Sequence, residues 1–124
     1  MRFAKIVFWI AGIWGVAVIL PLYFLFDAIG QKHPPAITHP EFFYGFAGVA
    51  LAWQIAFLFI GSDPVRYRPL IIPSLVEKLS AGIAVIVLVS QERIQQSSLV
   101  FAGTDLLLAV LFVIAYFKIP ERSV

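Results

Sequence analysis

Cysteine is absent from the chain. That excludes disulfides, thiolate chemistry and cysteine-type zinc sites, and it leaves the redox compartment open. Charge is scarce: nine Lys and Arg with seven Asp and Glu make up 13% of 124 residues, where a soluble domain carries about a quarter. The formal net charge of +2 is spread thinly and forms no basic stripe, so nucleic acid is not an expected partner. P-loop, GxSxG, HExxH and paired catalytic carboxylate motifs are all missing. No catalytic residue and no cofactor are therefore assigned.

What the chain has instead is apolar length. It is 61% hydrophobic and 15% aromatic, more than so short a chain can bury within itself, so its solvent must be lipid. Segments 6–26, 42–61, 70–90 and 99–117 each approach the roughly 20 apolar residues needed to span a bilayer. Helices are the open-chain solution there, because every backbone amide must be satisfied locally. Met1-Arg2-Phe3-Ala4-Lys5 and the run after it imitate a signal peptide, but the run goes on to Phe26 with no small-x-small site beyond. It reads as a retained membrane helix. The expected fold class is an all-α membrane protein, a four-transmembrane-helix bundle with residues 1–124 as one domain.

Arg2, Lys5, Arg66, Arg68, Lys118 and Arg122 fall on one side of such a bundle, and Lys32 and Arg93 on the other. Basic residues collect in cytoplasmic loops, so both termini are expected in the cytoplasm, in an inner or plasma membrane of bacterial type. The link 27–41 contains Gly30, Pro34, Pro35 and Pro40 and is expected to be extended. Thr38-x-x-Glu41 has capping-box spacing, and Ser97 or Ser98 is placed to cap the last helix. Pro21 should bend the first helix near its outer end, and Pro69 fits a first helical turn.

Small residues mark faces on which helices approach closely. Ala4, Ala11 and Gly15 lie along the first helix. Gly45, Gly48 and Ala52 follow one side of the second, with Ala47, Ala50 and Gln54 on the neighbouring side. Ala81 and Ala84 are in register with Glu77, and Ala102 and Ala109 flank Asp105. Gln54, Glu77 and Asp105 are thus expected to point into the bundle.

Ionisable groups at such depth are functional-site candidates by default. At about 1.5 Å rise per residue, Trp14, Trp53, Gln54 and Glu77 fall roughly 10–12 Å from the inner end of their segments. They predict an inner layer around Glu77, closed by Leu111 and Phe112 of the fourth helix. A Glu77 carboxylate there must find a partner or a proton. It is read as a proton carrier or as the anionic wall of a pocket flanked by Trp14 and Trp53, suited to a cation because aromatic faces attract cations. The bland alternative is a hydrogen bond to Gln54, or a pair with Arg66 or Arg68. Lys78, about 100° round the helix, is expected to snorkel to the surface.

Asp105 lies roughly 9 Å from the outer end on the same rise, with no cation at its level. It is expected to be neutral or bonded to Tyr23, Tyr44 or Thr104, as a second proton site, a polar anchor or a buried tie. Asp63 with Arg66, Tyr67 and Arg68 reads as a turn and topology signal, or as a cytoplasmic clamp on anionic headgroups. His33 and His39 with Asp27 and Glu41 lack helical metal-ligand spacing, and no metal is assigned.

Size and helix count resemble small multidrug-resistance transporters, but those depend on a first-helix glutamate, and here no acidic residue precedes Asp27. The prolines of the outer link, glutamine among aromatics (Trp53, Gln54, Phe57) and Arg66 to Pro69 resemble the four-helix EXPERA and DoxX-like membrane proteins. That resemblance implies a bundle cavity with acidic residues holding a sterol or hydrophobic amine. Three functions follow as expectations. The first is binding of a lipid or hydrophobic small molecule, cationic ones included. The others are proton- or ion-coupled transport by an oligomer of the chain, with Glu77 and Asp105 as successive carriers, and service as a structural or accessory subunit of a larger membrane complex.

Overall fold

The computed structural model describes residues 2–32 and 37–120. Its elements are α1 (Arg2–Ile19), α2 (Phe26–Lys32), α3 (Pro40–Ser62), α4 (Ile71–Ser90) and α5 (Leu99–Lys118), and no strand occurs among the described residues. Short 3₁₀ turns at Leu20–Phe24, Arg68–Leu70 and Gln96–Ser98 precede α2, α4 and α5. Four stretches, Arg2–Phe24, Pro40–Ser62, Arg68–Ser90 and Gln96–Lys118, are long and apolar enough to cross a membrane. Phe24, Phe42, Val100 and Phe117 among many large apolar side chains are exposed. Only lipid makes such a surface inexpensive.

Helix α1 is central. It packs along α3 on one side and against α5 on the other, and α4 packs along α5, whereas α3 and α4 make little contact. Close approach between α1 and α3 depends on small residues at regular spacing. A Cβ at Gly15 would overlap the Gln54 carboxamide, and one at Gly61 would come within 2.8 Å of the Trp9 ring. The same device joins α4 to α5 at Gly82, under Leu106. On α3 the inward face is Ala47, Ala50, Gln54, Phe57 and Gly61. Gly45 and Ala52, expected to mark a packing side, are exposed instead, as is Ala84 on α4.

The core sits toward the end that carries the N-terminus. Phe8 stacks on Phe112 at 4.3 Å between centroids, and Phe57 meets Phe112 edge-on at 5.1 Å. All three rings are fully buried among Ala4, Ala11, Ile60, Ile71 and Ala115. Arg68 closes this end: its Nε donates to the Tyr116 carbonyl at 3.1 Å, and its guanidinium lies 3.9 Å from the Tyr116 ring centroid.

Three local expectations are corrected. The first half of the 27–41 link is helical, because Phe26 is held by Phe43 (edge-on, 5.2 Å) and Tyr44 (stacked, 5.5 Å). Asp27 in its first turn and Lys32 in its last complement the helix dipole. Pro34 and Pro35 lie outside the described residues. Helix α3 begins at Pro40 with His39 as its N-cap, and Glu41 approaches the His39 ring (3.2 Å) rather than joining Thr38 in a capping box. Neither Ser97 nor Ser98 caps α5; the 3₁₀ turn accepts the Leu99 amide through the Gln96 and Ser97 carbonyls. Pro21 sits where α1 tightens into 3₁₀ geometry, and Pro69 occupies the opening turn before α4, the latter as expected.

The α4–α5 connection is a Schellman turn. Arg93 N–H donates to the Leu88 carbonyl and Glu92 N–H to the Val89 carbonyl, each at 2.9 Å. Glu92 holds the left-handed position with φ 59°, where glycine is usual. It is a local strain of about 1 kcal/mol.

Candidate functional site

Helix α4 buries the stripe Ile71, Ser74, Lys78 and Gly82 against α5. Lys78 is therefore an inward residue: it is 2% exposed, and its Nζ donates to Asp105 Oδ1 at 3.1 Å. Glu77 Oε2 stands 3.7 Å from the same ammonium. The Phe57 ring centroid is 5.3 Å away, so an aromatic face covers what the carboxylates leave open. An ammonium removed from water needs this combination of charge, hydrogen bond and π-face.

Two sequence expectations fail here. Lys78 does not snorkel, and Asp105 does have a cation at its level. The rise count placed Asp105 above Glu77, but a lysine stem of four carbons spans the difference. The sequence carries a signal for this face: Lys78 shares the spacing of Ile71, Ser74 and Gly82, whereas Ala81 and Ala84 mark the Glu77 side. Asp105 does not bond to Tyr23, Tyr44 or Thr104. The two tyrosines stack on each other at 6.0 Å, and Thr104 returns its hydroxyl to the Val100 carbonyl.

The inner layer is realised in part. Where α3 and α4 separate, a crevice of about 450 Å³ opens, with Phe46, Val49 and Trp53 on one wall and Glu77, Ser80 and Ala81 on the other. Glu77 and Trp53 thus line one crevice from opposite walls. Gln54 turns away toward Gly15, spends its amide on the Ala50 carbonyl at 2.9 Å, and leaves a buried Oε1 without a hydrogen bond. Trp14 is half-exposed on α1 and does not line the crevice. Phe46 and Ser80 were missed, since an aromatic and a serine in apolar helices carry no signal until a gap places them together.

Charge counts at this site are uneven. Two carboxylates face one ammonium, and the hydrogen bond goes to Asp105, leaving Glu77 Oε2 buried with no hydrogen-bond donor. The Asp63 loop is quieter. Asp63 accepts the Arg66 backbone amide at 3.3 Å, Arg66 lies over Tyr67, and Arg68 serves Tyr116, so no clamp of Asp63 on an arginine side chain forms. Nor do Arg66 and Arg68 reach Glu77. His33 lies outside the described residues, and no group of three metal-ligating side chains occurs among those described.

No protein-family model matches the chain, and neither a curated protein nor a solved structure matches it.

Proposed function

We propose that this chain is an integral membrane protein that binds a lipid or hydrophobic small molecule bearing a cationic group, in the α3–α4 crevice at Glu77. The observation that carries the reading is the surplus carboxylate. Lys78 is committed to Asp105 by a hydrogen bond, while Glu77 shares the same ammonium only as an ion pair, with Oε2 at 3.7 Å and no hydrogen bond, and its side chain lines an aromatic-walled gap. A guest ammonium would supply the missing positive charge, with Trp53 and Phe46 flanking its apolar part. The volume, about 450 Å³, is that of a small ligand pocket. In this reading the Lys78–Asp105 pair is a fixed element that holds Glu77 in place rather than a carrier. The imbalance of basic residues puts both termini and the Asp63–Arg68 loop on the cytoplasmic side.

Native mass spectrometry of the purified chain, with dodecyltrimethylammonium as probe, tests the proposal. The wild type should retain the probe, and Glu77→Gln, which keeps the shape, should lose at least about tenfold in affinity, roughly 1.4 kcal/mol. Equal retention by the two proteins, with both folded by circular dichroism, rules out Glu77 as the binding carboxylate.

A further inference from the structure

A second concavity lies at the opposite end of the bundle from the Asp63–Arg68 loop, and it is unrelated to the Glu77 crevice. It measures about 970 Å³ and runs between the turn leading into α2 and the α4–α5 connection. Its wall is apolar, from Leu25 and Ile29 on one side and Phe101 on the other. Its rim is charged, with both signs present: Lys32 at the end of α2, and Glu92 and Arg93 in the Schellman turn. None of the three takes part in an ion pair among the described residues. The groove stands where the membrane-crossing stretches end, at Phe24, Ser90 and Gln96, which is the depth at which acyl chains give way to headgroups.

We propose that this groove holds a phospholipid whose headgroup carries both a phosphate and an ammonium. Lys32 and Arg93 offer two cations to the phosphate; Glu92 offers one carboxylate to the ammonium; the apolar wall receives the upper part of a chain. The backbone at Glu92 supports a role for its side chain. A left-handed φ of 59° favours glycine, yet a glutamate stands there, next in sequence to Arg93 and on the same rim. The two hydrogen bonds of the Schellman turn keep that place fixed.

Dioleoyl phosphatidylethanolamine and dioleoyl phosphatidylglycerol share phosphate and chains and differ in the ammonium, so they discriminate the idea. Both would be titrated into the full chain in detergent, and lipid retention read by native mass spectrometry. The wild type should prefer the ethanolamine lipid by roughly threefold or more, the scale of one partly exposed charge contact. The double substitution Lys32→Ala with Arg93→Ala should lower retention of both lipids. Glu92→Gly should abolish the preference while the thermal midpoint holds or rises, because glycine relaxes the turn. A purely structural Glu92 gives unchanged selectivity in Glu92→Gly, and that result overturns the proposal, as does equal retention of the two lipids by the wild type. Glu77→Gln should leave the preference intact, which separates this site from the crevice.

Discussion

A lysine ammonium at the centre of a membrane-spanning helix costs about 2.5–3.5 kcal/mol on insertion scales, and unpairing a buried ion is of the same order. Lys78 avoids that cost through Asp105, across the α4–α5 seam. Lys78→Met should therefore destabilise the bundle by about 3 kcal/mol, mostly through the unpaired Asp105 it leaves. Adding Asp105→Leu should recover more than half of the loss, since a hydrophobic pair of similar volume suits this seam. A double-mutant cycle in mixed micelles with denaturing detergent measures this. Additive losses would mean that the two side chains do not act as a pair. At Gly15 the effect is steric: Gly15→Leu drives a branched side chain into the Gln54 carboxamide and should cost about 1–3 kcal/mol by overpacking.

Among the elements, α2 depends most on its neighbours. Seven residues are too few for a helix to persist by itself in water, so Phe26 against Phe43 and Tyr44 supplies the reason it forms. Phe26→Ala should raise amide hydrogen exchange across residues 26–32 while leaving α3 protected. Uniform protection in that variant would place the stabilisation elsewhere. The α4–α5 turn is set by backbone hydrogen bonds instead of side-chain caps. Glu92→Ile, forcing a β-branched residue to positive φ, should lower stability by about 1–2 kcal/mol. Glycine at the same position should leave stability unchanged or raise it.

At the scale of the molecule, the arrangement is two tight antiparallel pairs, α1 with α3 and α4 with α5, joined through α1 and α5 by the Phe8, Phe57 and Phe112 cluster. The gap between α3 and α4 follows from that pairing, because small residues draw α3 onto α1 and α4 onto α5. The gap opens between exposed faces of α3 and α4, so the guest proposed above would enter it laterally. The absence of cysteine makes sidedness directly measurable. Single cysteines at Ser62 and Ser97, both exposed, should react from opposite faces with a membrane-impermeant maleimide, the Ser62 position only from the cytoplasmic side. Labelling of both from one face contradicts the topology.

The number of spanning helices, their limits to within a few residues and their lipid-facing character were all determined by the sequence. Long apolar runs in a chain poor in charge admit no other way to satisfy the backbone. Glu77 and Trp53 were also legible as walls of one gap, since both lie at one depth and helices of one bundle share a depth scale. Rotation about each helix axis was decided by tertiary packing alone. Apolar residues surround each span on all sides, so hydrophobic periodicity, which orients a helix in water, is nearly silent in lipid. Lys78 shows the consequence: depth by itself sent it to the surface, whereas the close contact at Gly82 turns its side of α4 onto α5 and buries it beside Asp105.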